Sequence, residues 1–214
     1  MPLTINDDML RVDCSIMEKR RLDDYKERRL YLYGSIDDFD DNQNFLTSFS
    51  SATGELIERI FDFNREDKGK NVKKRDPIRL YINSPGGNLS EGFALIDAIK
   101  ISKTPVYTIN VGQWSSMSFL IGITGHKRFS LPSATFLMHD GSSGAFGSTS
   151  KVQDCVEFEK RFKNEVIKKH VLDHSKMQAV DYDALARVEY YLLPKDALER
   201  GFIDKIVDDI DAIL

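Results

Sequence analysis

Ser116 lies in the run Gly112-Gln113-Trp114-Ser115-Ser116-Met117, where an apolar, β-branched stretch gives way to the apolar segment Met117 to Ile123. A serine hydroxyl is a weak nucleophile until a base takes its proton and hydrogen-bond donors receive the oxyanion it creates. At a strand-to-helix junction the hydroxyl can face a cleft, while the first N–H groups of the helix have no acceptor within the helix. Ser116 is therefore a candidate nucleophile and the Met117 N–H a candidate oxyanion donor. The ordinary role of a serine at such a junction is to cap the helix, and that alternative applies to Ser115 and Ser116 alike.

His139 closes the apolar run Phe136-Leu137-Met138 and precedes the glycine-rich stretch Asp140 to Gly147. An imidazole at the end of a strand is placed as a general base should be, although a lone histidine there also serves structural ends. Ser84-Pro85-Gly86-Gly87 follows another apolar run. Its glycines let a backbone approach closely and leave N–H groups accessible, or form an ordinary tight turn. Cys155 falls within a helical pattern and reads as a packing residue rather than a nucleophile.

The elements that must position these groups follow from periodicity. Arg29 to Gly34, Ile78 to Asn83 and Pro105 to Val111 read as strands, with Gly112 opening a turn. Asn44 to Phe61 reads as a helix and Asn64 to Pro77 as a charged, exposed loop. Leu89 to Ile99 and Ser116 to Ile123 are helices that follow glycine turns. Alternating strands and helices of this kind predict an α/β fold with a largely parallel sheet. A helix over Thr149 to Leu172, about 24 residues and roughly 36 Å long, exceeds what a small core needs and is suited to packing on a partner subunit. Near the end, Pro194 starts a helix, Gly201 stops it, and Phe202 to Val207 form a last strand.

The chain has 214 residues, of which 41% are hydrophobic and 30% charged, with a net charge of -4. This describes one well-solvated domain. It gives no electrostatic reason to expect nucleic acid, and the basic run Lys68 to Arg75 reads as a solvated surface. No apolar stretch approaches a membrane span, and Met1 to Arg20 lacks the apolar core of a signal peptide. Cys14 and Cys155 make neither a disulfide framework nor a metal-ligand spacing, which favours a reducing, cytoplasmic setting. With no metal constellation and no phosphate-binding G-x-x-x-x-G-K-[ST] loop, no cofactor is expected, and any ATP dependence must come from a partner.

Taken together, Asn83-Ser84-Pro85-Gly86-Gly87, then Gly112 to Met117, then Leu131-Pro132 and Met138-His139, in that order, closely resemble the proteolytic subunit of Clp protease. The resemblance runs from Lys26 to Val207 and is strongest between Ile78 and His139. The Gly86 to Ser116 interval matches the family's. The Ser116 to His139 interval is slightly shorter, a difference assigned to the turn Thr124 to Arg128.

The resemblance implies a crotonase-like α/β fold of repeated strand-strand-helix units. A peptidase domain would span residues 26–214, with a projecting handle helix near 149–172, after a divergent segment 1–25. It implies Ser116 as nucleophile, His139 as base and acid, and the N–H groups of Gly87 and Met117 as the oxyanion hole. The family's aspartate position falls on Glu189, with Asp140 and Asp183 as alternatives. The extra methylene moves the carboxylate by about 1.5 Å, so the strand or the imidazole must compensate. Trp114 and Ser118 replace smaller residues; Trp114 either narrows the substrate site or packs against a neighbour.

The implied activity is ATP-dependent serine endopeptidase cleavage of unfolded polypeptides. It would take place inside a homo-oligomeric tetradecamer of two stacked heptameric rings, fed by a separate unfoldase. Arg79 departs from an aromatic position of the family's docking surface, where Tyr81 is retained. The alternatives are a weakly active or inactive structural subunit and an acyl-CoA enzyme of the wider crotonase-like fold.

Overall fold

A computed structural model of the chain describes residues 16–36 and 52–213. Residues 1–15 of the expected divergent segment 1–25, Cys14 among them, and the part of the expected Asn44 to Phe61 helix before residue 52 lie outside the described residues. The chain enters through helix α1 (Ile16–Lys26) and strand β1 (Arg29–Tyr33), and continues from residue 52 in helix α2 (Ala52–Glu66).

Helix α2 runs past Phe61 because its buried stripe continues through Ile60 and Phe63. Residues 64–66, expected in a loop, are therefore helical. Asn64 fixes that last turn: its Nδ2 donates to the Ile60 carbonyl at 2.8 Å, and its Oδ1 accepts from the Lys103 and Thr104 N–H groups.

Strand β2 (Ile78–Ser84) leads to helix α3 (Leu89–Ile101), and strand β3 (Val106–Ser115) to helix α4 (Met117–Ile123). Ile78, Leu80 and Ile82 share one face of β2 and are fully buried, whereas Arg79 and Asn83 on the other face are half-buried and exposed. Strands β4 (Lys127–Ser130) and β5 (Thr135–Met138) follow. The chain then passes through helix α5 (Thr149–Phe162), a π-helical segment (Lys163–Lys168) and helix α6 (Lys169–Asp173). Helix α7 (Ala179–Leu185), strand β6 (Tyr190–Leu192), helix α8 (Pro194–Glu199) and strand β7 (Lys205–Ile206) complete the fold.

The sheet runs in the order β1-β2-β3-β4-β7, all parallel. It forks at β3. The first half of that strand, Tyr107 to Asn110, pairs with β4, and its last residues, Gln113 to Ser115, pair in parallel with β5. Asn110 sits at the fork: its Nδ2 donates to the Thr135 carbonyl at 2.9 Å and its Oδ1 accepts the Gly112 N–H at 3.1 Å.

Gly112, expected to open a turn, instead lies inside the ten-residue β3. Its missing side chain serves close approach, since a Cβ there would come within 2.4 Å of Asn83 Oδ1. The last strand is also shorter than the expected Phe202 to Val207, because only Lys205 and Ile206 join the ladder, beside Phe129 and Ser130. The long helical stretch after residue 149 is present, but it is interrupted by the π segment. Among the described residues no helix is long and apolar enough to cross a membrane.

Candidate active site

The site lies at the carboxyl ends of β2, β3 and β5, where ligands of parallel α/β sheets bind. Ser116 occupies the N-cap position of α4, yet its side chain makes no capping bond. Its backbone has φ +56° and ψ -124°, a left-handed conformation unusual for a residue with a side chain. The Ser116 N–H is held by the Leu137 carbonyl at 2.9 Å, tying the strained residue to β5. The capping role is thus not taken, and the hydroxyl is left for other use.

Ser118 was read only as bulkier than its family counterpart, but it fastens this elbow. Its buried Oγ accepts the Ser115 N–H at 2.8 Å and donates to the Ser84 carbonyl at 2.6 Å. The ends of β2 and β3 are thereby joined below Ser116.

The glycine turn lies directly over Ser116. Gly86 has φ +95°, and a Cβ on it would stand 2.7 Å from Ser116 Cβ and 2.8 Å from the Met117 nitrogen. A methyl there would take the space that an oxygen accepting from Met117 needs. Gly87 forms a parallel bridge with Ile36, in which Ile36 N–H donates to Gly86 at 2.8 Å and Asn88 N–H donates to Ile36 at 2.6 Å. The bridge uses the peptides on either side of Gly87, so the Gly87 N–H is not spent on it. Asn88 then caps α3 by accepting from the Ser90 and Glu91 N–H groups. The sequence reading missed Ile36, whose part becomes visible only once β1 is laid beside β2.

His139 directly follows Met138, the last residue of β5, and its Nδ1 lies 2.9 Å from Glu189 Oε1. The Nε2 is buried and has no hydrogen-bond partner among the described residues. An imidazole anchored through one nitrogen and unengaged at the other has the form of a general base, and no hydrogen bond joins it to the Ser116 hydroxyl in this structure. The two alternative carboxylates are engaged elsewhere: Asp140 pairs with Lys163, and Asp183 with Lys168 at 2.6 Å.

Trp114 is fully buried and packs edge-on against Phe136, with ring centroids 5.5 Å apart. A Cβ at Gly122 would fall 2.3 Å from its ring. Of the two readings of Trp114, the structure selects packing. Cys155 is half-buried on α5, with its thiol 3.8 Å from Glu159 Oε1. Among the described residues no cluster of three or more His, Cys, Asp or Glu side chains is placed to hold a metal ion.

Sequence comparison matches residues 70–209 to the Clp protease family, a span that includes the elbow, His139 and Glu189. The chain belongs to the Clp protease family. A curated relative, the ATP-dependent Clp protease proteolytic subunit of Streptococcus mutans, is 29% identical over 187 residues, covering 86% of this chain and 86% of that protein. The mixed α/β architecture with its forked, largely parallel sheet agrees with the crotonase-like fold of Clp proteases. As a Clp-family chain it is a proteolytic subunit by descent, and the site geometry can be read against that chemistry.

Proposed function

We propose that this Clp-family chain is a serine endopeptidase in which Ser116 attacks the peptide carbonyl. His139 takes the hydroxyl proton through Nε2 and delivers it to the leaving amine. Glu189 holds the imidazole through Nδ1, and the N–H groups of Gly87 and Met117 receive the tetrahedral oxyanion. Water, activated by the same histidine, then releases the acyl group and restores Ser116.

The observation that carries this reading is the pairing of His139 with Glu189 at 2.9 Å while His139 Nε2 stays buried and without a partner among the described residues. The strained, non-capping Ser116, bonded to Leu137 two residues before His139, adds to it. A binding module or an acyl-CoA enzyme has no use for this third group behind the histidine.

The same reading gives a domain from about residue 26 to 214 that assembles into two stacked heptameric rings around unfolded substrates, in a cytoplasmic setting. The helical stretch from Thr149 to Asp173 supports a contact between rings, since Val156 and Phe158 are exposed on it and Phe146 is exposed in the loop before it. A separate ATP-driven unfoldase feeds the chamber. The described surface beside β1 and β2 supports a docking site that mixes aromatic and charged groups, because Tyr81 stacks on the exposed Tyr31 and borders a cavity of about 340 Å³ together with Arg28, Arg29, Asp76 and Arg79.

The test is labelling with a fluorophosphonate probe, adduct mapping by mass spectrometry, and cleavage of a fluorogenic peptide, with assembly checked by sedimentation. Labelling confined to Ser116 and lost in Ser116→Ala is the expected result. A well-assembled wild type that neither labels nor cleaves would overturn the reading in favour of a structural subunit.

A further inference from the structure

The two groups behind Ser116 both lie just outside the sheet's ladder. Residue pairing between β5 and β6 stops at Met138 and Tyr190, so His139 and Glu189 occupy the first positions beyond it. On the His139 side the next anchored residue is Asp140, after which Gly141 to Gly147 form an exposed loop. On the Glu189 side the preceding element is α7, which carries Tyr182 and Asp183.

Both anchors converge on one segment. Lys163, the first residue of the π-helical turn, pairs with Asp140, and Lys168, its last residue, pairs with both carboxylate oxygens of Asp183 at 2.6 and 2.7 Å. Tyr182 lies among these groups. The Lys168 ammonium is 5.9 Å from its ring centroid, and its phenol is pushed up to about 12 by burial, then by the carboxylates of Asp140 and Asp183. A π turn is rare within a helix and is frequently found at functional sites.

Resting on the endopeptidase reading, we propose that the π turn Lys163–Lys168 is a clamp that positions the His139–Glu189 pair, with Lys163 fixing the His139 side through Asp140 and Lys168 fixing the Glu189 side through Asp183. Neither lysine touches the reacting atoms; both are positioning residues. Loss of either lets one partner drift from the other, which slows proton transfer without changing how peptide binds. Because the clamp is part of the long helix, any shift of that helix is felt at the imidazole.

The test compares full-length wild type with Lys163→Met, Lys163→Arg, Lys168→Met and the exchanged pair Asp140→Lys/Lys163→Asp. For each, sedimentation, the fluorophosphonate labelling rate at Ser116, and kcat and KM for a fluorogenic peptide are measured. Lys163→Met and Lys168→Met are expected to assemble, to lose about tenfold in labelling rate and kcat, and to keep KM within about twofold, the scale of a sub-ångström misplacement. Lys163→Arg and the exchanged pair are expected to recover most of that loss.

Wild-type rates in both methionine variants would overturn the clamp. So would a loss that neither arginine nor charge exchange restores, since that is the pattern of a purely structural role. A wild type that does not label overturns the endopeptidase reading itself, and the clamp with it.

Discussion

Met138 faces Tyr190 across the antiparallel β5–β6 pair, so the residue after the one and the residue before the other come together, and His139 Nδ1 lies 2.9 Å from Glu189 Oε1. The extra methylene of glutamate is absorbed because Glu189 stands one step outside the ladder, where its backbone is not held by pairing.

Glu189→Ala should therefore lower kcat by about 10²-fold or more while KM changes little, as expected when a base loses the group that orients it. Glu189→Asp should fall between wild type and Glu189→Ala, because its carboxylate ends about 1.5 Å short from a backbone built for glutamate. Steady-state peptide cleavage measures both, and an alanine variant as fast as wild type would remove Glu189 from the site.

Gly86→Ala should abolish labelling of Ser116. The new methyl would stand 2.6 Å from the Ser115 carbonyl and 2.8 Å from the Met117 nitrogen, at a backbone φ of +95°. The strained backbone adds a stability cost of about 1–3 kcal/mol. Denaturant unfolding and probe labelling separate the two effects. The idea fails if the variant labels at the wild-type rate.

Trp114→Ala should cost about 3–5 kcal/mol of stability, the range for emptying a large buried aromatic site. Trp114→Phe should be much milder, since the indole N–H has no hydrogen-bond partner among the described residues to lose. If instead the ring shaped the substrate site, Trp114→Phe would change peptide preference without loss of stability. Thermal unfolding and a peptide panel decide between them.

Acid should weaken the fold in two separate windows. His170 is buried beneath α4, and burial brings its imidazole down to about 4 from 6.5, despite a 3.0 Å bond to the Leu120 carbonyl. The unfolded chain then binds the extra proton between pH 6.5 and 4. Stability consequently rises with pH across that window and is lost on acidification, by on the order of 3 kcal/mol in full. Asp67 is held well below its ordinary 3.8 chiefly by its hydrogen bonds to Arg28, with Lys70 and Thr104 adding to them. Its contribution persists above 3.8 and disappears only at lower pH. Melting curves from pH 7.5 to 5 should show a clear fall for wild type and a shallower one for His170→Gln; equal slopes would rule out His170 as the source.

How much of this could be read from the chain differs from residue to residue. Ser116 and His139 were legible because the glycine turn, the elbow and the apolar run precede them in a fixed order. Glu189 was reached by counting, but its approach to His139 depends on the antiparallel register of β5 and β6, which no local pattern encodes. Gly112 misled because a glycine inside a strand marks close approach as readily as a turn marks a bend, and the approaching group, Asn83, comes from the neighbouring strand. The π turn was invisible, since Lys163 to Lys168 have ordinary helical character and their partners Asp140 and Asp183 lie on separate elements.

The fork at β3 divides the molecule into two storeys. In the lower one β3 pairs with β4, which in turn pairs with β7; in the upper one it pairs with β5, which pairs with β6, and the candidate acid–base pair borders these two strands. The turn Thr124 to His126 belongs to the lower storey, where His126 N–H is bonded to the Val106 carbonyl at 2.8 Å. A change of length in that turn falls at the foot of the sheet, at the far end of β3 from Ser115 and Ser116. The lower loops and the candidate acid–base pair thus hang from opposite ends of one strand.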